Sequence, residues 1–270
     1  MSLSATKLHI EHIETEATTQ YWHMQDLWVS ELDGTVVRGL THSLAAQLTL
    51  PVRSVRDRIR FEDIARRAYF PPVPDTHHRN ETLTYAADVR LGLQWARIAP
   101  PWTLTASGGV SLPTGRTESN PFALGRLGLP HQHIQFGTGT VDPYGVVIAS
   151  RRVGVWSVSG STSARVTLTK NAHGYRAGNR YAGALSAARP VVRAWSVRVG
   201  CELAREASET WDRRVEEEGN LGRTDLFASL GGSRAFAFAT LGATVRVPVY
   251  SHVTGAQADL PLVAQITLSR

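Results

Sequence analysis

The segment Trp102-Thr-Leu-Thr-Ala-Ser-Gly-Gly-Val-Ser-Leu112 decides the fold that the sequence predicts, because its apolar residues recur at every second position. Only Thr, Ser and Gly stand between them. A β-strand sends successive side chains to opposite faces, so this segment has one apolar face and one small, polar face. The polar face carries little that could fill a protein core. The segment therefore indicates a strand of a barrel with lipid outside and water inside.

The same period-two alternation recurs along the chain and predicts an all-β fold, a single antiparallel up-and-down transmembrane β-barrel of about 12 strands. The clearest further outward faces are predicted at alternate positions in residues 260–268, 237–249, 226–230, 195–203, 181–187, 156–168, 89–95 and 44–50, and at Tyr144, Val146 and Ile148. Two further strands before residue 40 complete the count. They lie near residues 10–15 and 27–40, and Asp33-Gly34 in the second could form a hairpin turn.

Short turns alternate with long polar segments. The short turns are predicted at residues 41–43, 99–101, 151–154, 189–191 and 231–234, and the long segments at 53–82, 116–132, 170–179, 207–221 and 251–257. Short turns on one rim and long loops on the other are typical of bacterial outer-membrane barrels. Within the first long segment, residues 61–69 predict a short helix that the following prolines end.

Composition narrows the class of protein. The 270 residues fit one barrel domain over 1–270, and charged residues make up 19%, below the ~25% of soluble domains. The net charge of +6 invites a nucleic-acid partner, but the arginines are scattered and no binding motif is present, so none is predicted. No apolar run is long enough for a transmembrane helix. No signal peptide is visible, and we expect that a leader was removed or truncated.

Two short motifs lie where one predicted strand ends and the next begins: Leu112-Pro-Thr-Gly115, and Gly137-Thr-Gly-Thr140 followed by Asp142. With Gly39-Leu-Thr-His-Ser-Leu44 and Leu48-Thr-Leu-Pro51, they resemble the outer-membrane barrel family of the meta-pathway of phenol degradation and related outer-membrane transporters. The resemblance covers roughly residues 35–270. It implies an outer-membrane barrel, and the family's name implies a channel for hydrophobic or aromatic compounds.

Side chains of the opposite parity are predicted to face the lumen. The polar residues among them are Asp88, Arg90, Gln94, Arg165, Arg198, Glu202 and Arg246. In a pore such groups set the field that a solute meets, and an excess of arginine favours anions. The alternative is that Arg–Glu and Arg–Asp pairs only brace the inner wall of a barrel too narrow to be an open porin.

Phe227, Phe236 and Phe238 also fall on the inward parity. They could form an apolar path for a solute or pack against a plug. A register slip at the turn predicted for residues 231–234 would instead place them elsewhere.

Three tryptophans, Trp102, Trp156 and Trp195, each begin an outward strand just after a short turn. This position favours an aromatic belt at the level of the periplasmic lipid headgroups. Ordinary core packing is the alternative.

Metal binding and catalysis find little support in the sequence. His131-Gln-His133 and His77-His78 have spacings that could chelate a metal, but both lie in predicted loops without a nearby acidic cluster, so neither a metal nor another cofactor is predicted. No Gly-x-Ser-x-Gly elbow or phosphate-binding loop is present. Adjacent strand residues such as His42-Ser43 point to opposite faces, which disfavours a catalytic dyad. The protein is therefore predicted not to be an enzyme.

Together these patterns predict an outer-membrane channel or transporter that passes small hydrophobic or aromatic molecules through a narrow, arginine-lined lumen. Its expected partners are the lipid bilayer and a small-molecule solute, and the sequence leaves the oligomeric state open. The first alternative is a non-conducting barrel whose long loops bind a partner. The second is a soluble β-barrel that binds a ligand inside.

Overall fold

A closed ring of twelve antiparallel strands forms the body of the molecule. The structure is a computed structural model that describes residues 1–16, 18–71, 80–255, 260 and 262–270, without the side chains of residues 12 and 16. Each strand of the ring pairs with its neighbours along the chain, and the last strand pairs with the first. The predicted all-β, up-and-down barrel of about 12 strands is confirmed.

The elements follow one another in simple order. The ring strands are β1 (Ser2–Glu16), β2 (Thr19–Gly39), β3 (Leu44–Asp63), β5 (Arg90–Ala99), β6 (Trp102–Ser111), β7 (Asp142–Val153), β8 (Trp156–Arg165), β10 (Arg180–Val192), β11 (Trp195–Glu206), β13 (Arg223–Ala235), β14 (Thr240–Val253) and β15 (Val263–Ser269). Outside the ring, β4 (Thr82–Ala86) pairs with β3, and β9 (Tyr175–Arg176) pairs with β12 (Thr210–Trp211). The one short helix of the described residues is α1 (Pro121–Gly125).

Alternate side chains along the ring strands point outward and inward, as the sequence predicts. In β5, Leu91, Leu93 and Trp95 are exposed on the outside, whereas Arg90 and Gln94 are partly buried on the inside. Cross-strand partners share a face of the sheet, so this parity passes from strand to strand around the ring. Among the described residues, no α-helix combines the length and the apolar character needed to cross a bilayer.

Strand β7 departs from its predicted parity. Outward Trp102 and Ala106 of β6 lie opposite Arg151 and Val147 of β7, so the odd-numbered residues of β7 face outward. The predicted outward face of Tyr144, Val146 and Ile148 is wrong, and these side chains point inside. The reason is that Val146, Val147 and Ile148 form an unbroken apolar run, which has no period of two to read.

The turn predicted at residues 231–234 is also misplaced. Gly231 lies within β13 opposite Thr244 of β14, and the chain reverses only after Ala235. A Cβ on Gly231 would lie 2.7 Å from the Thr244 hydroxyl oxygen, so glycine is needed here for close packing between strands and not for a turn.

The first three strands are longer than predicted. Asp33-Gly34, predicted as a possible hairpin turn, lies within β2, and the reversal between β1 and β2 falls near residue 18. Strand β3 continues through Asp63, so the helix predicted for residues 61–69 is wrong. The extended parts carry charge on both faces, and they therefore lack the apolar stripe that marks the other strands.

Candidate functional site

The interior of the ring contains two adjoining cavities. One, of about 710 Å³, is lined by residues of ten ring strands and lies within the barrel. The other, of about 1160 Å³, lies between β1–β3 and the loops that carry Ile134 and Glu209. Both are lined by Arg180, Glu206 and Val263, so they adjoin one another. We call the first of them the inner cavity.

Four of the ten residues predicted to face the lumen meet at the inner cavity. They are Arg90, Arg165, Phe227 and Arg246, from four different strands. Phe227 is buried, and the Arg246 guanidinium carbon lies 6.0 Å from the centre of its ring. The cavity therefore combines cationic groups with an aromatic surface.

Most arginines of this cavity are paired with carboxylates. The pairs, with their N–O distances, are Arg90–Asp33 (2.7 Å), Arg180–Glu206 (2.8 Å), Arg223–Asp225 (2.6 Å) and Arg246–Glu202 (3.1 Å). Each pair joins strands or fixes a side chain against the wall. This pairing is the bracing that the sequence left as an alternative.

Arg165 differs from these arginines. In the part of the chain that the structure describes, no carboxylate lies within 4.0 Å of its guanidinium, and its buried Nε has no hydrogen-bond partner. Its neighbours in the sheet are Tyr144 on β7 and Arg180 on β10. Arg165 therefore adds to the inner cavity a positive charge that forms no ion pair with a described residue.

Three further predicted residues lie on the inward parity of their strands but outside the lining of this cavity. Gln94 lies on β5, and Arg198 and Glu202 lie on β11. Arg198 is exposed and stands opposite Gly231, toward the rim with the short turns. Glu202 reaches the cavity wall only through its ion pair with Arg246.

The expectation that Phe236 and Phe238 face the lumen is wrong. Both lie in the turn between β13 and β14, where Phe236 N–H donates to the Ala239 carbonyl at 2.7 Å. Phe238 is 72% exposed, and the two rings stack with centres 6.2 Å apart. The later position of the turn, described above, is the physical reason.

Asp88 does not line the lumen as a free group. It lies just before β5, is buried, and accepts hydrogen bonds from Gly115 N–H (2.9 Å), Thr138 N–H (2.7 Å) and the Thr138 hydroxyl (2.9 Å). The Gly115 and Gly137 backbones meet here, and a Cβ on Gly137 would lie 2.7 Å from Gly115 Cα. The two motifs that carry the family resemblance thus form one loop clamp around Asp88.

A second buried carboxylate extends this clamp. Asp142 is fully buried and accepts hydrogen bonds from the Thr140 hydroxyl (2.7 Å) and the Thr167 hydroxyl (3.3 Å). Asn171 in the next loop donates from its amide to the Thr138 carbonyl at 3.1 Å. The loop after β6 and the loop after β8 are therefore joined.

An aromatic cluster completes the mouth of the barrel at the long-loop rim. The Trp211 ring, 1% exposed, packs against Tyr175 at 4.8 Å and Phe122 at 6.1 Å between ring centres. Glu209 accepts a hydrogen bond from Trp211 Nε1 at 3.1 Å, and burial raises the pKa of its carboxyl. Three loops, those after β6, β8 and β11, thus pack together.

The three tryptophans predicted as an interface belt share one geometry at the short-turn rim. Each begins a strand, and an arginine of the next ring strand lies over its indole: Trp102 with Arg151 at 5.3 Å, Trp156 with Arg189 at 5.3 Å and Trp195 with Arg234 at 5.4 Å. Trp102 and Trp195 lie opposite their arginines in the sheet register. At this rim, three indole rings on the outer face are therefore each flanked by a guanidinium group.

Sequence reasoning missed several residues of the inner cavity, including Asp33, Tyr144, Arg180 and Asp225. Arg180 has a usable signal in the sequence, because Tyr181 is predicted to face outward and the preceding residue must then point inward. Asp33 and Tyr144 have no such signal, since the sequence predicts a turn at Asp33 and an outward side chain for Tyr144. The ring centres of His131 and His133 lie 5.1 Å apart. His77 and His78 lie outside the described residues. Within the described residues, no group of three potential metal ligands is present.

The architecture is similar to that of two solved membrane channels. The COG4313 outer membrane channel from Pseudomonas putida F1 matches over 99% of this chain and 94% of its own, with a TM-score of 0.58 and 11% sequence identity. The TodX deltaS2S3 mutant monoaromatic hydrocarbon channel matches over 100% and 89%, with a TM-score of 0.51 and 9% identity. No protein-family model and no curated protein matches the sequence. The chain thus has the fold of outer-membrane β-barrel channels.

Proposed function

We propose that the protein is an outer-membrane channel that passes small hydrophobic or aromatic molecules through a narrow, arginine-lined lumen, and that residues 1–270 act as a single barrel domain. The long loops would face the cell exterior and the short turns the periplasm. Passage would be diffusion, with no covalent chemistry. The channel function of both similar structures supports this proposal, and one of them carries monoaromatic hydrocarbons.

The observation that carries the proposal is the chemistry of the inner cavity. Apolar side chains of Val146, Phe227 and Val263 share its wall with Arg165, which has no carboxylate within 4.0 Å among the described residues. A twelve-stranded barrel lies between the filled eight-stranded and the open sixteen-stranded barrels, so a solute would pass close to these groups. Such a wall favours solutes that join an aromatic body to a negative charge.

Twelve strands alone do not make a conducting pore, and the packed mouth favours a second candidate. The loops that meet at Trp211 and the clamp around Asp88 form a packed structure at the long-loop end of the barrel. A non-conducting barrel whose loops bind a partner would need the same packed structure. A soluble ligand-binding barrel is disfavoured, because Leu93, Leu185 and Leu230 are each more than half exposed on the outer face.

Planar-bilayer recording of the purified, folded chain distinguishes these candidates. A channel should conduct, and under a salt gradient its reversal potential should show anion selectivity that Arg165→Gln reduces several-fold. Arg151→Gln is the matched control, since it removes an outward arginine at the short-turn rim. Benzoate should reduce the ionic current more than benzyl alcohol does.

The outcomes separate the parts of the proposal. Absence of both conductance and solute binding would favour the non-conducting barrel. Conductance without anion selectivity, or equal effects of the two variants, would remove the role of Arg165 and leave the channel. Folded protein that stays in solution without detergent would favour the soluble barrel.

A further inference from the structure

The outer face of β3 changes from apolar to cationic along its length. The outward residues of β3 are, in order, Leu44, Ala46, Leu48, Leu50, Val52, Ser54, Arg56, Arg58, Arg60 and, at the end of the strand, the acidic Glu62. Leu50 and Val52 are 51% and 41% exposed, as lipid-facing side chains are in an isolated chain. Arg56 stands about 13 Å beyond Val52 along the strand, at ~3.3 Å per residue. The arginines therefore lie just beyond the apolar band.

The neighbouring strands add to this cationic surface. Trp28 of β2 lies opposite Arg56, and the Lys7 ammonium of β1 lies 5.0 Å from the centre of its ring. The Arg56 guanidinium lies 5.9 Å from the same ring. Trp28 is 39% exposed and occupies the boundary where tryptophan anchors a barrel in a headgroup layer. We call Lys7, Arg56, Arg58 and Arg60 the cationic stripe.

Acidic groups neutralise the stripe only in part. Asp26 is paired with Lys7 at 2.9 Å and with Arg60 at 3.4 Å. Within the described ranges, no carboxylate lies within 4.0 Å of Arg56 or Arg58. The cross-strand neighbour of Arg56 on β4 is Thr82, and that of Arg58 on β2 is Asp26, which is paired with Lys7 and Arg60. The stripe therefore keeps a net positive charge.

The arginines farther from the membrane are different. Arg66 is paired with Glu11 at 2.5 Å, and Arg67 with Asp63 at 2.7 Å. The surplus of positive charge is thus confined to the level that directly borders the apolar band. If arginine were simply abundant along the extended strands, the arginines without an ion pair would not be restricted to this level.

We propose that the cationic stripe binds phosphate groups of the glycolipids that form the outer leaflet, as a docking surface for a phosphorylated lipid headgroup. Guanidinium groups bind phosphate through paired N–H donors, and the period of two presents three of them in a row on one face. The acyl chains of the same lipid would lie against Leu50 and Val52. This inference rests on the proposed place of the barrel in an outer membrane, with the long loops outside.

The test uses the full chain, folded in detergent micelles, with bis-phosphorylated lipid A as the probe and its dephosphorylated form as the control ligand. Binding is measured as the shift in the temperature at which the folded, fast-migrating gel band is lost. Lipid A should raise this temperature, and the dephosphorylated lipid should not. For Arg56→Gln/Arg58→Gln we expect about fivefold weaker binding per arginine removed, hence about 25-fold for the pair.

A matched variant shows whether position matters. Arg151→Gln/Arg189→Gln removes two outward arginines at the short-turn rim and should bind lipid A as the unchanged chain does. Equal loss in both variants, or equal stabilisation by both lipids, would overturn the inference. If a variant does not fold, the comparison of the two lipids on the unchanged chain still tests the inference. A chain that conducts without binding lipid A would overturn this inference and leave the proposed channel intact.

Discussion

Leu93 and Gln94 are adjacent in the wall of the barrel and face opposite surroundings, whereas Asp88 in the mouth binds residues 27 and 50 positions away. The wall is built from pairs of neighbouring strands, and the step of two in the sequence assigns each side chain to lipid or lumen. The mouth is built from buried carboxylates: Asp88 accepts hydrogen bonds from two distant parts of the loop after β6, and Asp142 accepts them from the loops after β6 and β8. The wall therefore depends on a repeated local rule, and the mouth on a few particular contacts.

This contrast bears on function. A wall held by its whole strand network tolerates many changes on its inner face, which is where a solute would pass. A mouth held by Asp88, Asp142 and the Trp211 cluster depends on few contacts, and Asp142 and the Trp211 cluster each link more than one loop. Regions held by few contacts are those that open locally in folded proteins.

The strongest test of the wall compares Leu93→Arg with Gln94→Arg. The outward arginine would lie in the apolar band and should destabilise the folded barrel by about 2–4 kcal/mol, whereas the inward one should cost far less. Heat-modifiable gel migration and urea unfolding in detergent measure the difference. Equal destabilisation at the two positions would contradict the assignment of faces.

The mouth is tested by Asp88→Ala. The change leaves the N–H groups of Gly115 and Thr138 without their acceptor, and we expect a loss of about 2 kcal/mol that is confined to the loop after β6. Protease cleavage within residues 112–141 should accelerate while the barrel stays folded. The control is Asp63→Ala, which removes a carboxylate at the exposed end of β3. Slow cleavage in both variants would show that the clamp does not hold the loop.

A pH dependence follows from Glu209. Burial raises the pKa of its carboxyl, so the folded mouth holds the proton more strongly than the unfolded chain does, and this group destabilises the fold as pH rises above its ordinary value of 4.5. Glu209→Gln should therefore stabilise the protein slightly at pH 7.5 and have almost no effect at pH 4. Thermal unfolding at the two pH values measures this. A stabilisation that is equal at both would exclude titration of Glu209 as the cause.

The smallest effect is expected at the short-turn rim. An exposed cation–π pair contributes about 0.5–1 kcal/mol, so a double-mutant cycle on Trp102→Leu and Arg151→Gln should yield a coupling energy of that size. Unfolding free energies of the four proteins in detergent give the value. A coupling of zero would mean that the two residues face the headgroups independently.

The wall was largely predictable from the sequence, and its exceptions share a cause. Strands β5, β6, β8, β10 and β11 have the predicted parity because small polar residues alternate with apolar ones. In β7 the run Val146-Val147-Ile148 conceals the period, and Gly231 serves close packing between strands instead of a turn. Phe236 and Phe238 were misplaced by that turn.

The mouth was not predictable in the same way. The motifs around Gly115 and Gly137 were recognisable, but nothing local indicates that Asp88 joins them or that Arg165 has no carboxylate within 4.0 Å among the described residues. Such facts depend on which segments meet after the ring closes. The extended ends of β2 and β3 were equally hidden, because polar residues on both faces resemble a loop in sequence.

By itself, the sequence determined that the chain forms an antiparallel barrel with an apolar exterior, because lipid requires one apolar face on every strand and backbone hydrogen bonds require closure of the ring. The tertiary structure decided which charges inside are paired, that Arg165 forms no ion pair with a described residue, and how the loops pack together at the mouth. Those properties arise from residues far apart in the chain, and only the register of twelve strands brings them within contact distance.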